Sequence, residues 1–208
     1  MRIVLDDFET SLRADSVGEA LDAAARTVGE SGRLIVEVEV DGAAWSEEDL
    51  ADAALLSRGA TELRLLTAHP GELVRDLLVH ACDAIGDAAR LQREAATDLQ
   101  SGRTADAMRS LLEALALWGS VQTAVSRGLE LDVVPRAEIP ALGIDLDGAI
   151  AALDARLRTL RDCMHRQDVA SIADVLLYEF PAASTSLSGA LAALAAEIGR
   201  RSAPCPNA

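Results

Sequence analysis

Lysine is absent from this 208-residue chain, whose 19 basic residues are all Arg. Schiff-base chemistry and a phosphate-loop lysine are thereby excluded. Ala- and Arg-rich, Lys-free composition is what a GC-rich bacterial genome produces. Aromatic side chains are as scarce: Phe8, Trp45, Trp118, Tyr178 and Phe180 are the full set. The core therefore has to be built from Leu, Val, Ile and Ala, which suits closely packed helices. Cys82, Cys163 and Cys205 are an odd number without framework spacing, which fits a reducing cytoplasm. No apolar run approaches the roughly twenty residues a membrane helix needs. Residues 1–7 carry too short an apolar stretch for a signal peptide. Nucleophile-elbow, glycine-rich phosphate-loop and CxxC motifs are missing as well.

What remains is acidic and aliphatic. Half the residues are hydrophobic, enough for a core without metal or disulfide staples. The formal net charge of −15 repels phosphate backbones and anionic lipid heads, and no basic stripe offsets it. Nucleic acid and membrane surfaces are thus poor partners, and a protein partner is the expectation.

Residues 2–5 predict a strand, with Asp6-Asp7 as a turn and residues 9–13 returning as a hairpin partner. Ser16-Val17-Gly18-Glu19 predicts a reciprocal capping box opening a helix that buries Val17, Ala20, Leu21, Ala24 and Val28. Residues 34–40 alternate, which puts Leu34, Val36, Val38 and Val40 on one face. Asp41-Gly42 turns that strand, Ser46 caps a short acidic helix, and residues 61–67 supply the last strand, with Leu63 and Leu65 inward. Strand, strand, helix, strand, short helix, strand is an order that resembles the ubiquitin-like β-grasp fold.

The remainder predicts helices. One starts at Pro70 and presents Leu73, Leu77, Ala81, Ile85, Ala88, Ala95 and Leu99. The second presents Met108, Leu111, Leu112, Leu115, Trp118, Gln122, Val125 and Leu129. After a loop with Pro135 and Pro140, the third spaces Leu146, Ile150, Leu153, Leu157, Leu160 and Met164 by fours and threes. The fourth, capped by Asp168, turns Val169, Ile172, Leu176 and Phe180 inward, is kinked or broken at Pro181, and resumes with Leu187, Leu191, Leu194 and Ile198. The fold class expected is α+β: a β-grasp-like module over residues 1–67, an antiparallel four-helix bundle over 68–199, and a disordered tail over 200–208.

Chemistry-bearing clusters are few. Ile144-Asp145-Leu146-Asp147-Gly148 resembles the nucleophile motif of haloacid-dehalogenase-type phosphatases, but no long apolar strand precedes it. Acids at a helix N-terminus account for the same letters. His80/Cys82 and Cys163/His165 form a tempting zinc set, yet residues two apart on a helix point about 200° away from each other. No catalytic, metal or cofactor residue is assigned. Trp118 lies on an apolar stripe and reads as core; Trp45, in a loop before a helix, is the candidate partner-binding residue.

Thr67-Ala68-His69-Pro70-Gly71-Glu72-Leu73-Val74 resembles the opening of the bacterial flagellin export chaperones, Thr-Ala-Ser-Pro-x-Glu-Leu-Val. The helical layout downstream, to about residue 180, looks similar too. Leu77-Leu78-Val79-His80-Ala81 departs from the family's Leu-Tyr-Asp-Gly-Ala, and helix-start chemistry alone selects part of the same string. The resemblance implies a chaperone that holds the amphipathic helices of an export or assembly client, in flagellar or secretion assembly. Non-enzymatic protein binding is the leading expectation. A self-associating structural protein, forming homo-oligomers through its third and fourth helices, and an enzyme with an unfamiliar site are the alternatives.

Overall fold

The computed structural model describes residues 1–202 and is α+β, a five-stranded mixed sheet followed by long helices. The chain divides into two compact units, Met1–Leu73 and Val74–Ala208.

In the first unit the order of strands across the sheet is β2-β1-β5-β3-β4. β1 (Arg2–Leu5) and β5 (Glu62–Ala68) are parallel, while β2 (Phe8–Glu9), β3 (Leu34–Val40) and β4 (Ala43–Ala44) join by antiparallel pairing. Both hairpins have two-residue loops with positive φ, Asp6-Asp7 (47° and 67°) and Asp41-Gly42 (51° and 83°). Such turns match the right-handed strand twist, and Asp and Gly tolerate them best. β2 ends at Glu9, well short of the partner strand expected to Arg13.

Helix α1 (Val17–Glu30) buries Val17, Ala20, Ala24 and Val28 against the sheet, with Leu21 half-buried. Ser16 caps it, accepting from the Glu19 amide at 3.3 Å. The expected box is not reciprocal, because the Glu19 carboxylate accepts from Asp15 N–H at 3.0 Å, one residue upstream of the cap. A true box forms instead at the short α2 (Glu47–Ala51), where Ser46 and Asp49 cap each other. A further turn of helix, α3 (Ala53–Leu56), leads to β5.

The alternation of β3 does not hold along its whole length. Val38 and Val40 are buried, but Leu34 and Val36 are each 39 % exposed and Ile35 is the residue that packs inward. A bulge between Ile35 and Glu37 shifts the register against β5. One extra residue in a strand swaps the faces on either side of it.

In the second unit α4 (Pro70–Gln100), which begins before the division, is followed by α5 (Thr104–Glu130), α6 (Leu146–His165), α7 (Val169–Asp174) and α8 (Phe180–Ser202). Left-handed Gly102 and Gln167 close the turns after α4 and α6, through Arg103 N–H to Asp98 C=O (2.8 Å) and Asp168 N–H to Cys163 C=O (3.1 Å). One apolar core gathers residues from all of these helices. Its seam on α4 runs Val74, Leu78, Ala81, Ile85, Ala88, Gln92, Ala95, Leu99, one residue beyond the expected Leu73 and Leu77, which are half-buried. On α5 it runs Ala107, Leu111, Ala114, Trp118, Val121, Val125, Gly128; Leu112, expected inside, is 60 % exposed. Val169, also expected inside, is 44 % exposed.

Pro181 neither breaks the fourth helix nor leaves it regular. A π turn, Val175–Glu179, joins α7 to α8, with Phe180 N–H donating to Val175 C=O. Widening the turn absorbs a proline whose ring would crowd the carbonyl one turn back and which has no N–H to give. Arg200, Arg201 and Ser202, expected in the tail, are helical. Glu197 holds both arginines, and Arg201 also reaches Glu138 at 3.2 Å. The rest of that expected tail, with Cys205, lies outside the described residues.

Candidate functional site

Between α5 and α6 the second unit has an apolar groove of about 410 Å³. One wall is a stripe of α5 running from Trp118 through Val121 and Val125 to Leu129; the other is Ile150, Leu153 and Leu157 of α6. Leu187 of α8 closes the base. Gln122 and Ser126 are exposed on the α5 lip, and the ionisable lining groups are Glu130, Arg136 and Asp154. The volume falls within the roughly 300–1,000 Å³ of ligand pockets.

Local sequence sets this shape. Asp145 caps α6 by accepting from Gly148 N–H at 3.0 Å. A Cβ at position 148 would overlap the Asp145 carboxylate as it stands, so a larger residue there would make that side chain shift. Val134, Ile139 and Ile144 bury the connection between α5 and α6 in the core, which includes a 3₁₀ turn, Ile139–Leu142. Arg136 on that connection pairs with Asp147. Also on α6, Arg156 takes the seam position between Leu153 and Leu160 and pairs with Glu179 of the π turn.

Trp118 is 2 % exposed, as its place on the stripe requires, and lies tilted against Phe180 with ring centroids 6.3 Å apart. Its indole N–H has no acceptor among the described residues, and neither the Gln92 amide nitrogen nor the Ser184 hydroxyl has a partner. Buried polar atoms are normally paired, so three orphans around one core stand out.

Trp45 is half-buried on the core of the first unit, with the Arg58 guanidinium 5.3 Å from its ring centroid. That cation–π cover leaves less of the indole free than a loop position suggests. Asp145 and Asp147 are exposed at the start of α6, preceded by a 3₁₀ turn and not a strand, and no histidine lines the cleft beside them. His69, His80 and His165 are each exposed, on the β5–α4 connection, on α4 and on α6. Cys82 is half-buried on α4 and donates to the Ser188 carbonyl at 3.5 Å, while Cys163 is buried on α6. Among the described residues no three His, Cys, Asp or Glu side chains are grouped to hold a metal ion. Nor is any helix among them long and apolar enough to cross a membrane.

At the opposite end of the chain, Asp6 fastens the sheet. It accepts from the Thr67 hydroxyl (2.6 Å) and amide (2.7 Å), with Arg33 at 3.3 Å. The Thr67 hydroxyl first, then its amide and the Arg33 charge, hold the Asp6 carboxyl below its ordinary range, outweighing the opposing effect of burial.

Sequence reasoning placed Trp118, Val125 and Leu129 on one stripe but not the groove itself. Ile150 and Leu157 read as seam residues, whereas they are half-buried on its wall. The available signal was Gln122 and Ser126, polar residues interleaved with an apolar stripe at helical spacing. Family models, curated proteins and solved structures yield no match to this chain.

Proposed function

We propose that this chain is a non-enzymatic, cytoplasmic adaptor or chaperone that holds an amphipathic segment of a client protein on its helical unit. The observation that carries the proposal is the α5–α6 groove, with its apolar walls and exposed polar lips. Amphipathic helices dock in such grooves by anchors at helical spacing. The resemblance of residues 67–74 to flagellin export chaperones supports the same class of work, and a link to flagellar or secretion assembly comes with it.

Two finer structural readings accompany this proposal. The strand order and the α1 cover support a β-grasp module for the first unit, serving to bind or pack. The heptad seams on α4, α5, α6 and α7–α8 support a four-helix bundle for the second. Self-association through the third and fourth helices would need seam residues such as Leu160, Leu176, Leu191 and Leu194, which here pack in the chain's own core.

The test is calorimetric titration with a synthetic amphipathic helix carrying leucines at i, i+4, i+7 and i+11. Binding is expected, and Ser126→Trp, which fills the groove from an exposed lip, should weaken it by about tenfold or more, on the order of 1.4 kcal/mol. Absence of binding, or equal binding to the variant, would count against the proposal.

A further inference from the structure

The charges around the groove say what kind of helix belongs in it, given that the groove is the client site. Its ionisable lining is Glu130, Arg136 and Asp154. Arg136 is already taken, paired with Asp147 on the same rim. Glu130 has no ion-pair partner among the described residues. Asp154 has only Arg158, at 3.9 Å and largely exposed.

Glu130 is also the last residue of α5, where the helix's unpaired carbonyls add negative potential. The only basic residue in that last turn, Arg127, is not part of the lining. The groove is therefore apolar from Trp118 to Leu129 and electronegative at the Glu130 end. At about 1.5 Å per residue, the stripe from Trp118 to Glu130 is roughly 18 Å long, about three helical turns.

We infer that the occupant is a basic amphipathic helix of a partner protein, about three turns of apolar anchors followed by Arg or Lys lying against Glu130 and Asp154. An acidic helix would meet uncompensated carboxylates, so the groove selects by repulsion as well as attraction.

Three peptides with the same leucine anchors test this: one with arginines in the last turn, one with glutamines, one with glutamates. Fluorescence anisotropy of the labelled peptides is read against the full chain at low and high salt. The arginine peptide should bind about tenfold tighter than the glutamate peptide at low salt. The gap should close as the screening length falls from about 10 Å at 0.1 M to about 3 Å at 1 M. Glu130→Gln with Asp154→Asn, both at solvent-accessible positions, should keep binding and lose the discrimination.

Equal affinity for all three peptides would overturn the charge selection while leaving the groove as a client site. No binding by any of them would overturn both. So would uptake of a small apolar dye that no peptide displaces.

Discussion

Replacing Gln92 by Met should make the protein more stable, although it deletes a polar group from a helix. Gln92 occupies a seam position of α4 between Ala88 and Ala95, is 1 % exposed, and its amide nitrogen has no partner among the described residues. An unsatisfied buried donor costs about 1–3 kcal/mol, and an apolar side chain of similar length does not carry that cost. Allowing part of this for imperfect packing, the gain is about 1–2 kcal/mol. In a protein of this size that is about 3–6 °C in Tm. Far-UV circular dichroism during heating and urea titration reads it directly, and an unchanged m-value confirms that the exposed surface on unfolding is the same. A midpoint that stays put or falls would mean that the Gln92 amide is satisfied, and would refute the reasoning from an orphaned donor.

Three further perturbations probe the two units separately. Leu63→Ala, at a fully buried position of β5, should cost about 2–5 kcal/mol by urea unfolding. Asp145→Ala should cost about 1 kcal/mol, because it removes the cap from the Gly148 amide; an unchanged midpoint would contradict that cap. Asp6→Asn keeps a residue type that tolerates the left-handed turn but removes the carboxylate held by Thr67 and Arg33. The folded carboxyl titrates below its unfolded value near 3.9, so its contribution is complete above that value and disappears as pH falls through the lowered one. Wild type should therefore exceed the variant in stability at pH 7, and the difference should shrink in strong acid. A gap independent of pH would sink that account.

Elements with one dominant local signal were legible in the sequence. Alternation located β3 and β5, and Ser16 and Asp168 marked helix starts. Faces were harder, because picking out large apolar residues misses a seam built of small ones. Ala107, Ala114 and Gly128 are inside while Leu112 is outside, since close-packed helices fill their contacts with side chains that let backbones approach. Gln92 was passed over because its polarity hid an otherwise regular step of fours and threes. The bulge in β3 and the π turn before Pro181 each add one residue to a repeat, which no periodicity in the letters announces. The groove, likewise, is a property of two helices facing each other, and neither stripe alone contains it.

The most direct test is a methyl-labelled NMR titration with the arginine-flanked peptide. Shifts concentrated on Val121, Val125, Leu129, Ile150, Leu153 and Leu157 are the expected result, with the methyls of the sheet, such as Val38 and Leu63, unmoved. Shifts centred on the sheet, or none at all at peptide saturation, would contradict the account.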